Sequence, residues 1–423
     1  MTPPVHELPL VRIVVLNHDG GALVLRALAH VMALDWPPDR LDVVVIDNAS
    51  TDGSPAEIRA LFPSVTLIER PTNEGFGANN HGLTDLPANT IAVLLNPDTA
   101  VAPDLLHTLI PSLLEAPANV GAACPRIVFD RPFSEYPIAP AAGHEIVVSA
   151  VFDGDADITG SCHVVGDAYR LPTRRGGHEW RCGPGSVLRA PDDASDVRVA
   201  VNARRTHQAL LGAATVDVGR TIQTVELSPS ATGITVVQND GSAIDPDGTG
   251  RNLNYWADAA HAPLPAAPPD AWCGAAVALR AEYLEAVGLL APEFFLYYED
   301  TDLSWRGTRA GWRYLFVPEA VVAHRHSAIT GQGSALTDTL QTRNRLLMLA
   351  RNAPLGTLAR AAIRAELSAL NQFRRAIGNR RPGAWPDFSL AIRRLRGLAG
   401  AARLLPWALR SRRAISRTST GAG

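Results

Sequence analysis

The 423-residue chain contains no lysine; all 39 of its basic residues are arginine. That absence excludes a P-loop nucleotide site built on a Walker lysine, a Schiff-base enzyme and a lysine-dependent nucleotidyltransferase. Cysteine is scarce: Cys124, Cys162, Cys182 and Cys273 are widely spaced and form no C-x-x-C pair. Neither a zinc site nor a disulfide framework is therefore indicated. No uninterrupted apolar run reaches the roughly 18–20 residues needed to cross a bilayer. Met1–Leu10 carries three prolines and no basic leader, unlike a signal peptide, so a cytoplasmic protein is expected. The net charge of −3 predicts no nucleic-acid partner. The charge is uneven, however: residues 340–423 hold 17 of the arginines against only Glu366 and Asp387. Such a basic tail suits an anionic surface, either a membrane or the acidic body of the protein itself.

The first 130 residues alternate buried-strand and helix signals. Val11–Asn17, Leu41–Asn48, Val65–Glu69 and Ile91–Asn96 read as strands, with helices at Ala22–Leu34, Pro55–Phe62 and Pro103–Glu115 between or after them. That alternation predicts βαβ units and a mostly parallel sheet, whose ligands bind at the carboxyl ends of the strands. From 130 to 236 short β-rich runs appear (Glu145–Phe152, Val197–Val201, Thr221–Leu227, Gly233–Gln238), predicting an inserted all-β module. The α/β texture returns over 237–340, and 341–423 reads as an arginine-rich helical tail. Expected units are thus 1–129, 130–236, 237–340 and 341–423.

Polar clusters sit at the predicted strand ends. Asn17-His18-Asp19-Gly20-Gly21 follows the first strand and Asp47-Asn48-Ala49-Ser50 the second. A carboxylate or amide there can meet the edge of a base, and an Asx turn would give the same text. Asn73-Glu74-Gly75-Phe76-Gly77-Ala78-Asn79-Asn80 opens a helix with small residues and backbone amides suited to an anion or a ribose. Leu94-Leu95-Asn96-Pro97-Asp98 ends a buried strand in a carboxylate that can hold a divalent cation or cap the next helix. Glu299-Asp300-Thr301-Asp302 follows the aromatic run Phe294–Tyr298, which favours at least one raised carboxyl pKa, as a general base requires. His324 and His326 follow another predicted strand.

In their order these segments (VVLNHDGG, VVVIDNASTDGS, NEGFGANNHG, VLLNPDT, WCGAAVALR, FFLYYEDTDLSWR and VPEAVVAHRHS) resemble family 2 inverting glycosyltransferases. They are most similar to the rhamnosyltransferase-like and galactofuranosyltransferase-like branch, over about 1–129 and 237–350. The resemblance implies a GT-A fold, a Rossmann-like nucleotide-binding sheet here carrying the inserted module and the helical tail. It implies a UDP- or dTDP-sugar donor, a hydroxyl acceptor and a Mg2+ or Mn2+ cofactor. It implies that Asn17, Asp47, Asn73, Gly75, Asn80 and Asn96 line the donor site. Asp98 and His324 would hold the metal, with His326 as the alternative; Asn96 replaces the first carboxylate of the family's D-x-D. Trp272, Gly274, Ala275, Glu299 and Asp302 would border donor sugar and acceptor, and Asp300 would be the catalytic base. Cell-surface polysaccharide or glycolipid synthesis is the implied setting. A small-molecule or protein acceptor, and a non-catalytic sugar-nucleotide or glycan-binding protein, are the alternatives.

On a helical projection from Leu390, an apolar face is predicted from Leu405, Leu398, Ala391, Ala402, Leu395, Ala399 and Ile392, bordered by arginines. A basic amphipathic helix of this kind implies peripheral membrane contact through 386–415, at the cytoplasmic face and near a lipid-linked acceptor.

Overall fold

The computed structural model describes residues 8–172, 178–325, 335–378 and 388–420. Two compact units emerge: one comprises 1–130, 239–255 and 263–423, the other 131–238 and 256–262. The segment 256–262, read from sequence as part of the second α/β block, belongs with the β-rich unit.

The first unit is built on a mixed sheet. Its strands β1 (Val11–Asn17), β2 (Leu41–Asp47), β3 (Thr66–Glu69) and β4 (Ile91–Leu95) are mutually parallel in the spatial order β3-β2-β1-β4. β4 is apolar throughout, and β1 is apolar apart from Arg12, which pairs with Asp42 (2.6 Å), and Asn17 at its end, because helices cover both faces of such a sheet. Helix α1 (Gly21–Met32) presents Val24, Ala27, Leu28 and Val31 to one face at helical spacing. α2 (Ser54–Leu61) and the single turn α3 (Asn80–Leu83) follow. The sheet continues past β4 through the strand Ala276–Arg280 to β6 (Val120–Phe129), the long strand Arg313–His324 and β5 (Thr99–Val101). α4 (Leu105–Glu115) precedes β6.

The strand Ala276–Arg280 was not anticipated, and it matters most for the site. It runs antiparallel to β4 with Ala276 opposite Leu95. Cys273–Ala275 therefore arrives beside the carboxyl end of β4, next to Asn96. The predicted strand near 314–317 is also longer than expected, extending to His324 and pairing in parallel with β6. α5 (Ala281–Val287) and α6 (Glu299–Arg309) lie between these two strands in the chain.

The second unit contains two antiparallel sheets. Ile138 and Leu188 from one, and Val148, Trp180 and Val199 from the other, belong to a single buried core, as in a sandwich. The architecture is thus a GT-A-type α/β fold with an inserted all-β module and C-terminal helices.

Those helices are α7 (Ala335–Asn352), α8 (Leu355–Gly378) and α9 (Ser389–Thr420). α9 rests on α7 by small residues: Ala391, Gly397, Ala401 and Ala408 are buried, and Arg412 donates to the carbonyl of Ala350 (3.2 Å). The apolar face predicted for this helix is corrected accordingly. Ile392 and Leu395 are 42% and 50% exposed, and Ala399 and Ala402 also face outward. Leu390 and Leu404, which fall off the predicted face, are half-buried. Of the predicted face, Ala391, Leu398 and Leu405 do turn toward the core; close helix approach selects for small side chains beside them, which rotates the packed side toward Gly397, Ala401 and Ala408.

One buried network joins α6, α7 and α9. The fully buried Asp302 accepts from Arg306 Nε (3.0 Å) and Asn352 Nδ2 (2.8 Å), and pairs with Arg351 at 3.0 Å. The Arg351 guanidinium lies 4.8 Å from the Trp407 ring centre. Replacing Asp302 with Ala would leave two guanidinium groups buried without their anion. We expect a loss of about 3–5 kcal/mol in denaturant unfolding; a change below about 1 kcal/mol would show that the network contributes little.

Candidate functional site

The carboxyl ends of β1, β2 and β4 and the arriving segment 273–275 form one continuous hydrogen-bonded surface. At the β1 and β2 ends, the buried Asn17 amide donates to Asp47 Oδ1 (2.8 Å), Ser50 Oγ (3.1 Å) and Ser54 Oγ (2.8 Å). Asp47 Oδ2 also accepts from the Ser50 N–H (3.2 Å). Asn17 thus sets the turn that holds Asp47 at its strand end.

The next residue, Asn48, was read from sequence as either turn or ligand. It fixes the neighbouring loop: its amide donates to Asn73 Oδ1 (2.9 Å) and to the Gly75 carbonyl (3.1 Å), and its Oδ1 accepts from the Glu74 N–H (2.8 Å). Gly75 has a φ of +69°, and a Cβ there would lie 2.0 Å from the Phe295 carbonyl oxygen, so only glycine fits. The Phe76 N–H donates to that same carbonyl (2.6 Å). Asn73 itself is exposed. Asn80 is turned elsewhere, bonding the Leu290 backbone through both side-chain atoms (2.8 and 3.1 Å).

At the β4 end, the Asn96 N–H donates to the Ala275 carbonyl (2.9 Å). His324, at the tip of its strand, brings Nε2 within 3.0 Å of Asp98 Oδ1 and 3.3 Å of the Asn96 amide nitrogen. Both Asp98 and His324 are buried, and the Arg325 N–H donates to the Asp98 carbonyl (3.0 Å). His326 lies outside the described residues. Among the described residues no group of three His, Cys, Asp or Glu side chains converges as a ready-made cage. One carboxylate and one imidazole nevertheless fit a divalent cation that takes its remaining ligands from phosphate oxygens and water.

The same surface reaches α6. The Gly274 N–H donates to Asp300 Oδ2 (3.0 Å), while Asp300 Oδ1 accepts from the Thr301 N–H (2.6 Å) and hydroxyl (3.1 Å). A Cβ on Gly274 would press on the Phe76 ring at 2.8 Å, so Phe76, Gly274 and Asp300 lie together. An unbroken path therefore runs from Asp300 through Gly274 and Ala275 to Asn96, His324 and Asp98. Trp272 stands behind it in the core, its N–H donating to Ser304 Oγ (3.2 Å), whose hydroxyl donates to the Asp300 carbonyl (2.8 Å). Asp302 is not on this surface, being committed to Arg306, Arg351 and Asn352.

Sequence reasoning missed Asn344, which holds the turn before α6, and Phe76, which packs beside Gly274. Phe295, Tyr297 and Tyr298 all have positive φ (64°, 72° and 72°), a conformation costly for side chains of this size. The fully buried Asn344 of α7 donates to the carbonyls of Phe294 (2.9 Å), Leu296 (2.8 Å) and Tyr297 (2.8 Å), pinning that turn. A polar residue amid an apolar helix face was the only sequence signal for it. Phe76 carried no signal beyond its glycine-rich surroundings.

Electrostatically, desolvation raises the pKa of Asp300 against the opposing hydrogen bonds from Gly274 and Thr301. Glu299 is pushed up further, first by burial and then by the Asp300 charge, and its Oε2 is buried with no hydrogen-bond partner among the described residues. A carboxyl whose folded pKa is raised stabilises the fold below its unfolded pKa, about 4.3 for glutamate, and that contribution is lost as pH rises through the folded value. Glu299→Gln should therefore remove a downward slope of stability with pH beginning near that ordinary glutamate value. Thermal unfolding of both proteins across a pH series checks this, and parallel profiles would contradict it.

Comparison with known proteins adds the following. Residues 11–165 match the model of the family described as glycosyl transferase family 2. The chain is 35% identical over 113 residues to the succinoglycan biosynthesis protein ExoO of Rhizobium meliloti (strain 1021), covering 26% of this chain and 32% of that protein. It is 28% identical over 109 residues to the beta-monoglucosyldiacylglycerol synthase of Synechocystis sp., covering 24% of this chain and 22% of that protein. The chain thus spans a third or less of the length of either relative. Among solved structures it is similar to the mannosyltransferase PcManGT from Pyrobaculum calidifontis in complex with GDP-Man and Mn2+. That similarity has a TM-score of 0.41 at 16% identity over 100% of this chain and 78% of that one. GalNAc-T7 with UDP, GalNAc and Mn2+ gives a TM-score of 0.46 at 14% identity over 82% and 48%.

Proposed function

We propose that the chain is a metal-dependent inverting glycosyltransferase that moves a sugar from a UDP- or dTDP-sugar to a hydroxyl acceptor in cell-surface polysaccharide or glycolipid synthesis. The observation that carries this reading is the path linking Asp300 to Asn96, Asp98 and His324 through Gly274 and Ala275. It sets a carboxylate of raised pKa beside a candidate cation site at the strand ends where α/β sheets bind nucleotides. The family match over 11–165 and the likeness to proteins named for succinoglycan and glycolipid synthesis support the same class.

In this reading the β2 end and the 73–77 loop receive the nucleoside, with Asp47 at the base and the 73–75 backbone near ribose and diphosphate. Asp98 and His324 hold Mg2+ or Mn2+, which when bound offsets the charge of the departing diphosphate. Gly274, lacking a side chain, lets the Phe76 ring pack directly against the segment that bonds Asp300. Asp300 takes the acceptor hydroxyl proton as that oxygen attacks the anomeric carbon opposite the leaving group. The configuration inverts in one displacement, and no covalent enzyme intermediate forms. Its raised pKa brings Asp300 closer to the operating pH, as efficient general-base catalysis requires.

Asp300→Asn separates catalysis from binding. Nucleoside diphosphate release from UDP- and dTDP-sugars, assayed with a glycolipid extract as acceptor, should fall by about 10²–10⁴-fold. Calorimetric affinity for the nucleotide should stay within about three-fold, since the carboxylate acts on the acceptor rather than on the donor. Turnover equal to wild type would remove Asp300 as base.

A further inference from the structure

The size pattern of α8 is inverted. Its protein-facing side is mostly small: Thr357, Ala361 and Ala369 are buried, Ala365 and Ser368 half-buried, and Leu358 is its one large apolar contact. Its outward side carries the large residues, with Leu355 58%, Ile363 56%, Leu367 59%, Leu370 48%, Phe373 38% and Ile377 58% exposed. At about 100° per residue these six occupy one stripe roughly 120° wide. Arg374 and the helix's single acid, Glu366, fall within it, and Arg360 and Arg364 lie along one border, Arg364 within 3.6 Å of Asp247. Phe373 also stacks on Phe388 with ring centres 4.4 Å apart, just before α9, where Ile392 and Leu395 stand exposed. Large apolar side chains gathered on one exposed helix face in this way mark a contact surface.

We infer that α8 is the membrane-docking element of this protein, its apolar stripe entering the headgroup boundary of an anionic bilayer while its arginines meet lipid phosphates. Charge selects this occupant. Residues 340–423 carry 17 arginines and two acids, so pairing the stripe with its copy on a second chain would bring like-charged rims together. An anionic lipid surface supplies apolar depth and opposite charge at once. The assignment moves the contact expected from sequence from α9, whose inner face is used on α7, to α8. It goes beyond the transferase reading and is tested with no donor present.

The test is co-sedimentation of the full chain with phosphatidylcholine vesicles, with and without phosphatidylglycerol, alongside sedimentation velocity without lipid. The wild-type chain should bind the phosphatidylglycerol vesicles at least ten-fold more tightly than pure phosphatidylcholine, and less tightly at high salt. The exposed double variant Leu367→Glu/Leu370→Glu, with unchanged circular dichroism, should lose at least ten-fold in binding. Arg360→Gln/Arg374→Gln should narrow the preference for anionic vesicles. Equal binding by wild type and the Leu367/Leu370 variant, or no vesicle binding by wild type, would overturn the proposal. So would a wild-type dimer that the Leu367/Leu370 variant splits while vesicle binding stays the same.

Discussion

The backbone between Phe294 and Glu299 is the constraint on which the rest of the site depends. Left-handed conformations at Phe295, Tyr297 and Tyr298 cost on the order of 1–3 kcal/mol each and persist only where the surroundings over-determine them. Here they do. Asn344 holds three of the turn's carbonyls from α7, and the Phe295 carbonyl is driven against Gly75 and accepts from Phe76. One strained turn thereby fixes the 73–77 loop on one side and the start of α6 on the other. Asp302, four residues after Tyr298, anchors that helix to α7 through its buried charge network, so Asp300 is aimed at Gly274 by structure built behind it. The C-terminal helices are accordingly part of the site's framework as well as a basic appendage.

The carboxylates of Glu299, Asp300 and Asp302 show how three adjacent acids acquire different properties. Asp302 is wholly buried yet matched by two guanidinium groups and an amide. Asp300 is bonded by backbone N–H groups and still raised by desolvation. Glu299 is buried with one oxygen unpartnered among the described residues. Burial without compensation disfavours charge, so Glu299 is raised further than Asp300, whose charge is met by backbone N–H groups.

Much of the fold was legible because parallel strands covered on both faces are mostly apolar, and VRIVVLN, VVVID and IAVLL announce themselves as such runs. The strand-end position of Asn17, Asp47, Asn96 and Asp98 follows directly from those runs. The rest depended on long-range partners that periodicity cannot show. Asp302 reads like Asp300 until Arg351, 49 positions away, is seen beside it. Asn80 belongs to a motif-like segment but is claimed by the backbone of Leu290, 210 positions on. Ala276–Arg280 is too short and too plain to declare itself an antiparallel strand inserted between parallel ones. On α9, counting apolar residues placed the face partly off the packed side, keeping Ala391, Leu398 and Leu405 but not Ile392 and Leu395, because close contact there also runs through Gly397, Ala401 and Ala408.

The central claim is that the strand ends take up a nucleoside diphosphate with a cation at Asp98 and His324. Its most direct test is thermal unfolding with UDP, dTDP, GDP, CDP and ADP, each with and without Mn2+, on wild type and Asp98→Asn. At a ligand concentration 100 times Kd, binding to the native state adds about 2.7 kcal/mol, a readable rise in Tm. The account predicts stabilisation by UDP or dTDP that requires Mn2+ and disappears in Asp98→Asn. No metal-dependent shift with any nucleotide, or a shift unchanged by the substitution, would contradict it.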